Sequence, residues 1–170
     1  MRIDLKNAAI TFKDGGSQSI TLKIGEGNLT FREARNMEYF LDRGTLDTVR
    51  EGDQIPVDLT LNLVWEELRG TSGGTASSGS TPTPYDVLHH VGGAVDWDSS
   101  SSDPCEPFAV DVQIVVTPPC GQHDVETIVF SDFRWETLDG DPKAGTLAVT
   151  GKCNITRPTV TSADQTTITP

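Results

Sequence analysis

The chain has 170 residues, 35% hydrophobic and 22% charged, and its 25 acidic against 13 basic side chains leave a net charge of −12. This length suits one domain with a real core, and the acidic balance excludes nucleic-acid binding by charge neutralisation, which needs lysine and arginine patches. No run of eighteen apolar residues occurs, which excludes a helical membrane span, and three cysteines are too few, and odd in number, for a disulfide scaffold.

The opening MRIDLKNAAITF lacks the uninterrupted apolar stretch of a secretory signal, so none is expected. Ile3 and Leu5, then residues 9–12, predict a first strand. Residues 19–24 alternate Ile20, Leu22 and Ile24 with Ser19, Thr21 and Lys23, and Asp14-Gly15-Gly16 between the two runs reads as a hairpin connection. Residues 29–35 predict another strand. Residues 41–53 are crowded with Asp42, Arg43, Asp47, Arg50, Glu51 and Asp53, punctuated by Gly44 and Gly52, and are expected to form a charged loop. Residues 55–65 then alternate almost without fault. Ile55, Val57, Leu59, Leu61, Leu63 and Trp65 fall on one face, and Asp58, Thr60 and Asn62 on the other. A strand of that length is about twice the usual one, and its polar face needs water or a partner.

In residues 70–84 the only apolar side chain is Ala76, so an exposed loop is expected there. Thr83-Pro84-Tyr85-Asp86 supplies an N-cap, a proline at the first helical position and an acid three residues after the cap. A helix over residues 84–92 follows, ended by Gly92-Gly93. Residues 96–104 read as a polar loop. Residues 108–117, 125–136 and 145–155 predict three strands in a meander, because their connections are short. The tail 159–170 has no core-forming pattern and is expected to be loose or docked on a neighbour. Seven or eight strands and one short helix make an all-β chain, a sandwich or barrel-like body of two packed sheets in a single domain over residues 1–158.

No phosphate-binding glycine loop, nucleophile elbow or His-Glu-x-x-His occurs, so no catalytic residue and no cofactor is expected. His89 and His90 are neighbours on the predicted helix and point in different directions. Asp139-Gly140-Asp141 reads as a turn, lacking the ligand ladder of a calcium loop. The weak metal candidates are Cys120, His123 and Cys153, which a meander would bring to one end of the sheet with Cys105 at the other. A Cys120–Cys153 disulfide stays open, and small buried thiols are the simplest expectation. Trp65 and Trp135 are expected in the core, and Trp97, within a polar loop, is a candidate interface anchor.

Four stretches, DRGTLDTVREGDQIPVDLTLNLVWEEL, TPYDVLHHVG, PFAVDVQIVVTPPCG and ETIVFSDFRWETLDGDPKAGTLAVTGKCNIT, resemble the major tail tube proteins of long-tailed bacteriophages, a tail tube or Hcp-like β-sandwich family. The resemblance covers roughly residues 3–155. It implies a β-sandwich with a flanking helix, six copies of which form a ring. The inner sheets of the ring join into one barrel, and rings stack into a tube. Asp58, Thr60 and Asn62 would then face an acidic lumen that repels phosphates, so that viral DNA passes without specific binding. Asp42, Arg43, Asp47, Arg50, Glu51, Asp53 and Trp97, with the loop 70–84, are the expected contacts between subunits or rings. The implied partners are copies of the chain and other tail proteins (a tail-tip initiator, a tape measure, a terminator). The implied place is the virion tail, assembled in the host cytoplasm, with no membrane contact. A surface β-sandwich that binds protein or carbohydrate is the competing expectation; aromatic residues at only 6% weigh against it.

Overall fold

The computed structural model describes residues 8–22, 24, 28–65, 82–100, 105–118 and 124–163. Most of the loop 70–84, together with Cys120, His123 and residues 164–170, lies outside the described residues. The elements are β1 (Ala8–Lys13), β2 (Ser19–Thr21), β3 (Leu29–Arg32), β4 (Met37–Asp42), β5 (Thr45–Glu51), β6 (Val57–Val64), α1 (Pro84–His89), β7 (Val110–Val116), β8 (Val125–Asp141), β9 (Thr146–Cys153) and β10 (Thr159–Ala163). The chain is mainly β, as its alternation predicts.

The main sheet runs in the order β2-β1-β7-β8-β9-β6-β3, and β10 also pairs with β8. The hairpin β1–β2 is set by Asp14, whose Oδ1 accepts from the amides of Gly16 (2.8 Å) and Gln18 (3.1 Å). The predicted meander β7–β8–β9 is present and antiparallel throughout. Strand β8 is the hinge of the sheet. Its first half lies between β7 and β10, and its second half pairs with β9. The change comes where Asp132 adopts φ 54 and the register to β7 slips between Val110↔Phe133 and Val112↔Phe130. Such bulges sharpen the local twist and bend of a strand. The sheet therefore curls over itself: Phe31 on β3, three strands along from β8, comes back to Phe130 of β8 with ring centroids 5.2 Å apart. One core fills the fold, with Ile10, Phe12, Val112 and Phe130 from one side and Val57, Leu59, Leu61 and Val149 from the other.

Several boundaries differ from those predicted. Strand β6 spans Val57–Val64, eight residues, because Pro56 has no amide to extend the ladder. Helix α1 has the predicted capping box, with Thr83 and Asp86 bonded reciprocally, but ends at His89. His90 takes the left-handed conformation at φ 55, and its N–H closes back on the carbonyls of Asp86 and Val87. Gly92–Ala94 is a separate 3₁₀ turn. The charged stretch is a hairpin, not a loop: β4 and β5 pair around Arg43-Gly44, whose φ values of 50 and 85 fit a type I′ turn. Asp139-Gly140-Asp141 ends β8, and the turn follows it at residues 142–145. The tail is not wholly loose, since β10 pairs from Thr159↔Val129 to Ala163↔Val125.

Candidate assembly surfaces

The second half of β8, with β9, β6 and β3, makes a four-stranded antiparallel sheet. Val57, Leu59, Leu61 and Leu63 of β6 are buried, and Asp58, Thr60, Asn62 and Val64 are half-buried on the opposite face. Residues directly opposite in antiparallel strands share a face, so the register lays out this polar face in rows. The first row is Arg32, Asp58, Lys152 and Arg134; the second is Thr30, Thr60, Thr150 and Thr137. Asn62, Ala148 and Asp139 form the third, extended by Asn28, whose Oδ1 accepts from Asn62 Nδ2 at 2.8 Å. Thr146 and Asp141 end the face. Three cations (Arg32, Lys152, Arg134) thus stand against four carboxylates (Asp58, Glu136, Asp139, Asp141), Glu136 lying 3.8 Å from Lys152 while Arg134 also reaches Glu106 at 3.4 Å. The face is mixed in charge, and nearly all of the chain's net −12 is carried elsewhere. That departs from the acidic face expected.

Both edges of this sheet are open among the described residues. Beyond Val110↔Phe133 no strand pairs the side of β8 opposite β9, and none pairs the side of β3 opposite β6. The amide of Asn62 donates to Asn28 O at 2.9 Å. Residues 28, 30 and 32 are therefore the ones that exchange bonds with β6, and the N–H and C=O groups of Leu29 and Phe31 point outward. Unpaired edges are templates for another strand.

The arm β4–β5 is a two-stranded sheet separate from the main one. Every residue of it except Glu38 is exposed. The expected interface residues gather here: Asp42 and Arg43 at the tip, Asp47 at the bulge, Arg50 and Glu51 toward the base, and Asp53 in a polar groove beneath it. Arg50 Nε lies 2.6 Å from Glu38 Oε2 and its guanidinium sits 5.1 Å over the Phe40 ring, while Arg35 bridges Glu51 at 3.2 Å. All these charges are exposed, where ion pairs contribute about 0–1 kcal/mol. The other face of the arm is apolar beyond its base, where Glu51 stands opposite Met37. Met37, Tyr39 and Leu41 stand beside Val49 and Leu46, with Tyr39 63% and Leu46 69% exposed. The sequence reading missed this patch, although Met37-x-Tyr39-x-Leu41 ahead of Arg43-Gly44 carries the hairpin signal.

Trp97 is not an interface anchor. It is 2% exposed, and its indole Nε1–H donates to Gln18 Oε1 at 2.6 Å. The loop after α1 folds back onto the β1–β2 end and plugs the core. Beside it, burial raises the Asp98 pKa, but hydrogen bonds from Ser100 Oγ, Ala109 N and Ser100 N, with the charge of His90, outweigh burial and leave it lowered. Trp65 and Trp135 pack against the core as expected. Trp135 Nε1 donates to Leu88 O at 2.5 Å and fastens α1 to the sheet. His89 and His90 are half-buried; His89 lies against Tyr85 and Trp135, and His90 stacks on Phe108.

Cys153 is fully buried, and its thiol is pushed up to about 12 by burial, with Asp111 and Asp132 adding to the effect. The register places it opposite Phe133, hence beside Val110 at the start of β7. The other end of that strand, Val116, is six residues or about 20 Å away. Cys153 therefore sits at the Cys105 end, because β8 is longer than predicted and β9 pairs its second half. Cys120 and His123 themselves lie outside the described residues. Among the described residues no three His, Cys, Asp or Glu side chains converge on a metal position.

Burial raises the Asp111 pKa despite a 3.0 Å bond from the Asp132 amide. A raised carboxyl binds its proton more tightly in the fold than in the unfolded chain, so its contribution to stability falls as pH rises from 3.8 through the folded value. Asp111→Asn keeps an acceptor and removes the buried charge. The variant is expected to melt higher than wild type near pH 7 and to lose that advantage near pH 3, as thermal melts at the two pH values would record.

No family model and no curated protein matches this chain. Solved structures do match in fold. A chain of the anti-feeding prophage cap, the tube-terminating cap, is 13% identical at a TM-score of 0.55, over 96% of this chain and 93% of that one. A chain of the PVC sheath/tube terminator, from an extracellular contractile injection system in the extended state, is 12% identical at 0.56 over 95% and 97%. One from the PVC sheath-tube complex is 11% identical at 0.55 over 95% and 93%. Identities this low speak for architecture alone: the chain has a tail-tube-related fold.

Proposed function

We propose that this chain is a structural, non-catalytic subunit of a phage-type tail tube. Six copies close into a ring, rings stack into a tube, and viral DNA passes through the lumen. The observation that carries this reading is the open four-stranded sheet, with two free edges and a hydrophilic face. Its strands alternate in direction from β8 to β3, so β3 of one copy meets β8 of the next antiparallel, as a continuous barrel needs. Such a contact is heterologous and closes when the rotation per copy closes. Asp58, Thr60, Asn62 and the threonine row then border the lumen. The three cations and four carboxylates of that face (Arg32, Lys152, Arg134; Asp58, Glu136, Asp139, Asp141) leave no phosphate-neutralising cluster to hold DNA. The exposed arm supplies the stacking contact. An initiator, a tape measure and a terminator are the further partners, and the place of the protein is the tail, assembled in the host cytoplasm.

The test is size-exclusion chromatography with negative-stain microscopy. Rings and tubes with a central hole are expected, and a monomer at every concentration overturns the reading in favour of a surface binding module. Leu29→Pro removes an outward-facing amide at the β3 edge, where proline is tolerated by a folded sheet. The variant is expected to keep its circular dichroism and lose rings; intact rings would exclude this edge. A second reading is favoured by the structures of similar fold, two of which come from tube-terminating assemblies. A terminator would form single rings that cap a tube, and no tubes of its own, in the same micrographs.

A further inference from the structure

Between α1 and the sheet lies a mainly apolar cavity of about 210 Å³, bordered by Val87, Leu88, Phe108, Val110, Phe133 and Trp135, with Arg134 at its rim donating to Pro107 O at 2.9 Å. It opens beside the point where β8 loses its β7 partner, since Val110↔Phe133 is the last pair of that ladder. A strand added along the free side of β8 would therefore cross the cavity mouth. An apolar cavity of about 150 Å³ accepts a benzene ring, so this one has room for a phenyl group.

Phe31 fits that position. It lies on the free strand β3 at the other edge of the same sheet, opposite Leu59 and so on the core-facing side, yet it remains 47% exposed. Its ring is tilted against Phe130 with centroids 5.2 Å apart, and nearly half of its surface stays uncovered. We propose that Phe31 of one copy inserts into the Val87–Phe108–Trp135 cavity of the next copy in the ring. This rests on the ring reading and adds its anchor. The occupant is a second copy of this chain because both halves of the contact sit on the two free edges of one sheet, and on the same face of it. The cavity is bounded by α1 through the Trp135–Leu88 bond, so the helix acts as the wall of the neighbour's socket.

The test crosslinks two batches of protein that differ only at chosen cysteines. One carries Glu33→Cys, two residues past Phe31 and exposed, with Cys105→Ser. The other is wild type, with its exposed native Cys105, two residues before Pro107 at the cavity rim. A short bismaleimide is expected to join residue 33 of the first to Cys105 of the second, identified by peptide mass spectrometry. A control batch with Ser162→Cys and Cys105→Ser, exposed on β10 opposite Glu126 and so at the other end of the β7–β8 ladder from Val110↔Phe133, is expected to give at least tenfold less product. In parallel, Phe31→Ala is expected to raise the concentration needed for rings about tenfold or more, from the loss of one buried phenyl group per contact. Rings in the micrographs with no excess of the 33–105 product over the control overturn this anchor and leave the ring reading standing. The absence of rings from wild type overturns both.

Discussion

Replacing Gly151 with alanine is expected to lower the melting temperature by about 10 °C, from a loss of about 3 kcal/mol or more. Gly151 lies between Leu59 of β6 and Trp135 of β8 on the core-facing side. A Cβ there would run into the carbonyl oxygen of Arg134, meet Trp135 Cα at 2.7 Å and the Phe133 ring at 2.8 Å. Two of these are backbone atoms and cannot rotate away. The register to β9 slips at this point, between Trp135 and Thr137, and the close approach of β8 to β9 is what that bulge requires. Against a typical total stability of about 5–15 kcal/mol, the loss is a large share. Gly44→Ala is the contrasting control. Gly44 has nothing within 4 Å, so only its φ of 85 resists, at about 1–2 kcal/mol. Thermal denaturation of the two variants separates a packing constraint from a conformational one; equal losses would mean that β8 gives way at Gly151.

The parts of the fold that rest on neighbours in sequence were legible, and those that rest on register were not. The alternation over 57–64 reads directly as a strand with one dry and one wet face. The cap Thr83-Pro84-x-Asp86 reads as a helix start because all its bonds are made within three residues. The length of β8 was hidden by Asp139-Gly140-Asp141, which looks like a turn. Gly140 is needed instead because the Trp65 ring lies 2.5 Å from where its Cβ would be. Trp97 was misread because its partner, Gln18, is distant in the chain and loop residues carry no period. In the arm, six charges drew attention from the apolar residues between them. The row of four threonines, the charge balance of the polar face and the two free edges all depend on which residues stand opposite one another across β3, β6, β9 and β8. No single stretch of sequence carries that information, although Asp58, Thr60 and Asn62 were correctly set on one face.

The double variant Leu41→Asp/Leu46→Asp is expected to abolish tubes while leaving rings and the folded subunit intact. Leu41 and Leu46 are paired across the arm, and both are among its most exposed apolar residues, at 63% and 69%. They make no contribution to the core, so their loss is expected to change subunit stability by no more than about 0.5 kcal/mol. A two-stranded hairpin is marginal alone in water, and exposed apolar surface of this kind marks a contact site. In the proposed tube, burying two leucines against a neighbouring ring would be worth about 3–6 kcal/mol per arm, and six arms would act together at each junction, so stacking would depend on them far more than on the arm's exposed ion pairs. Arg50→Ala, which breaks the bridge to Glu38, is accordingly expected to leave tubes intact. Microscopy and sedimentation of the variants decide the matter. Tubes of normal length from the leucine variant would remove the arm from the stacking contact, and loss of rings together with tubes would assign it to the contact between neighbours within a ring.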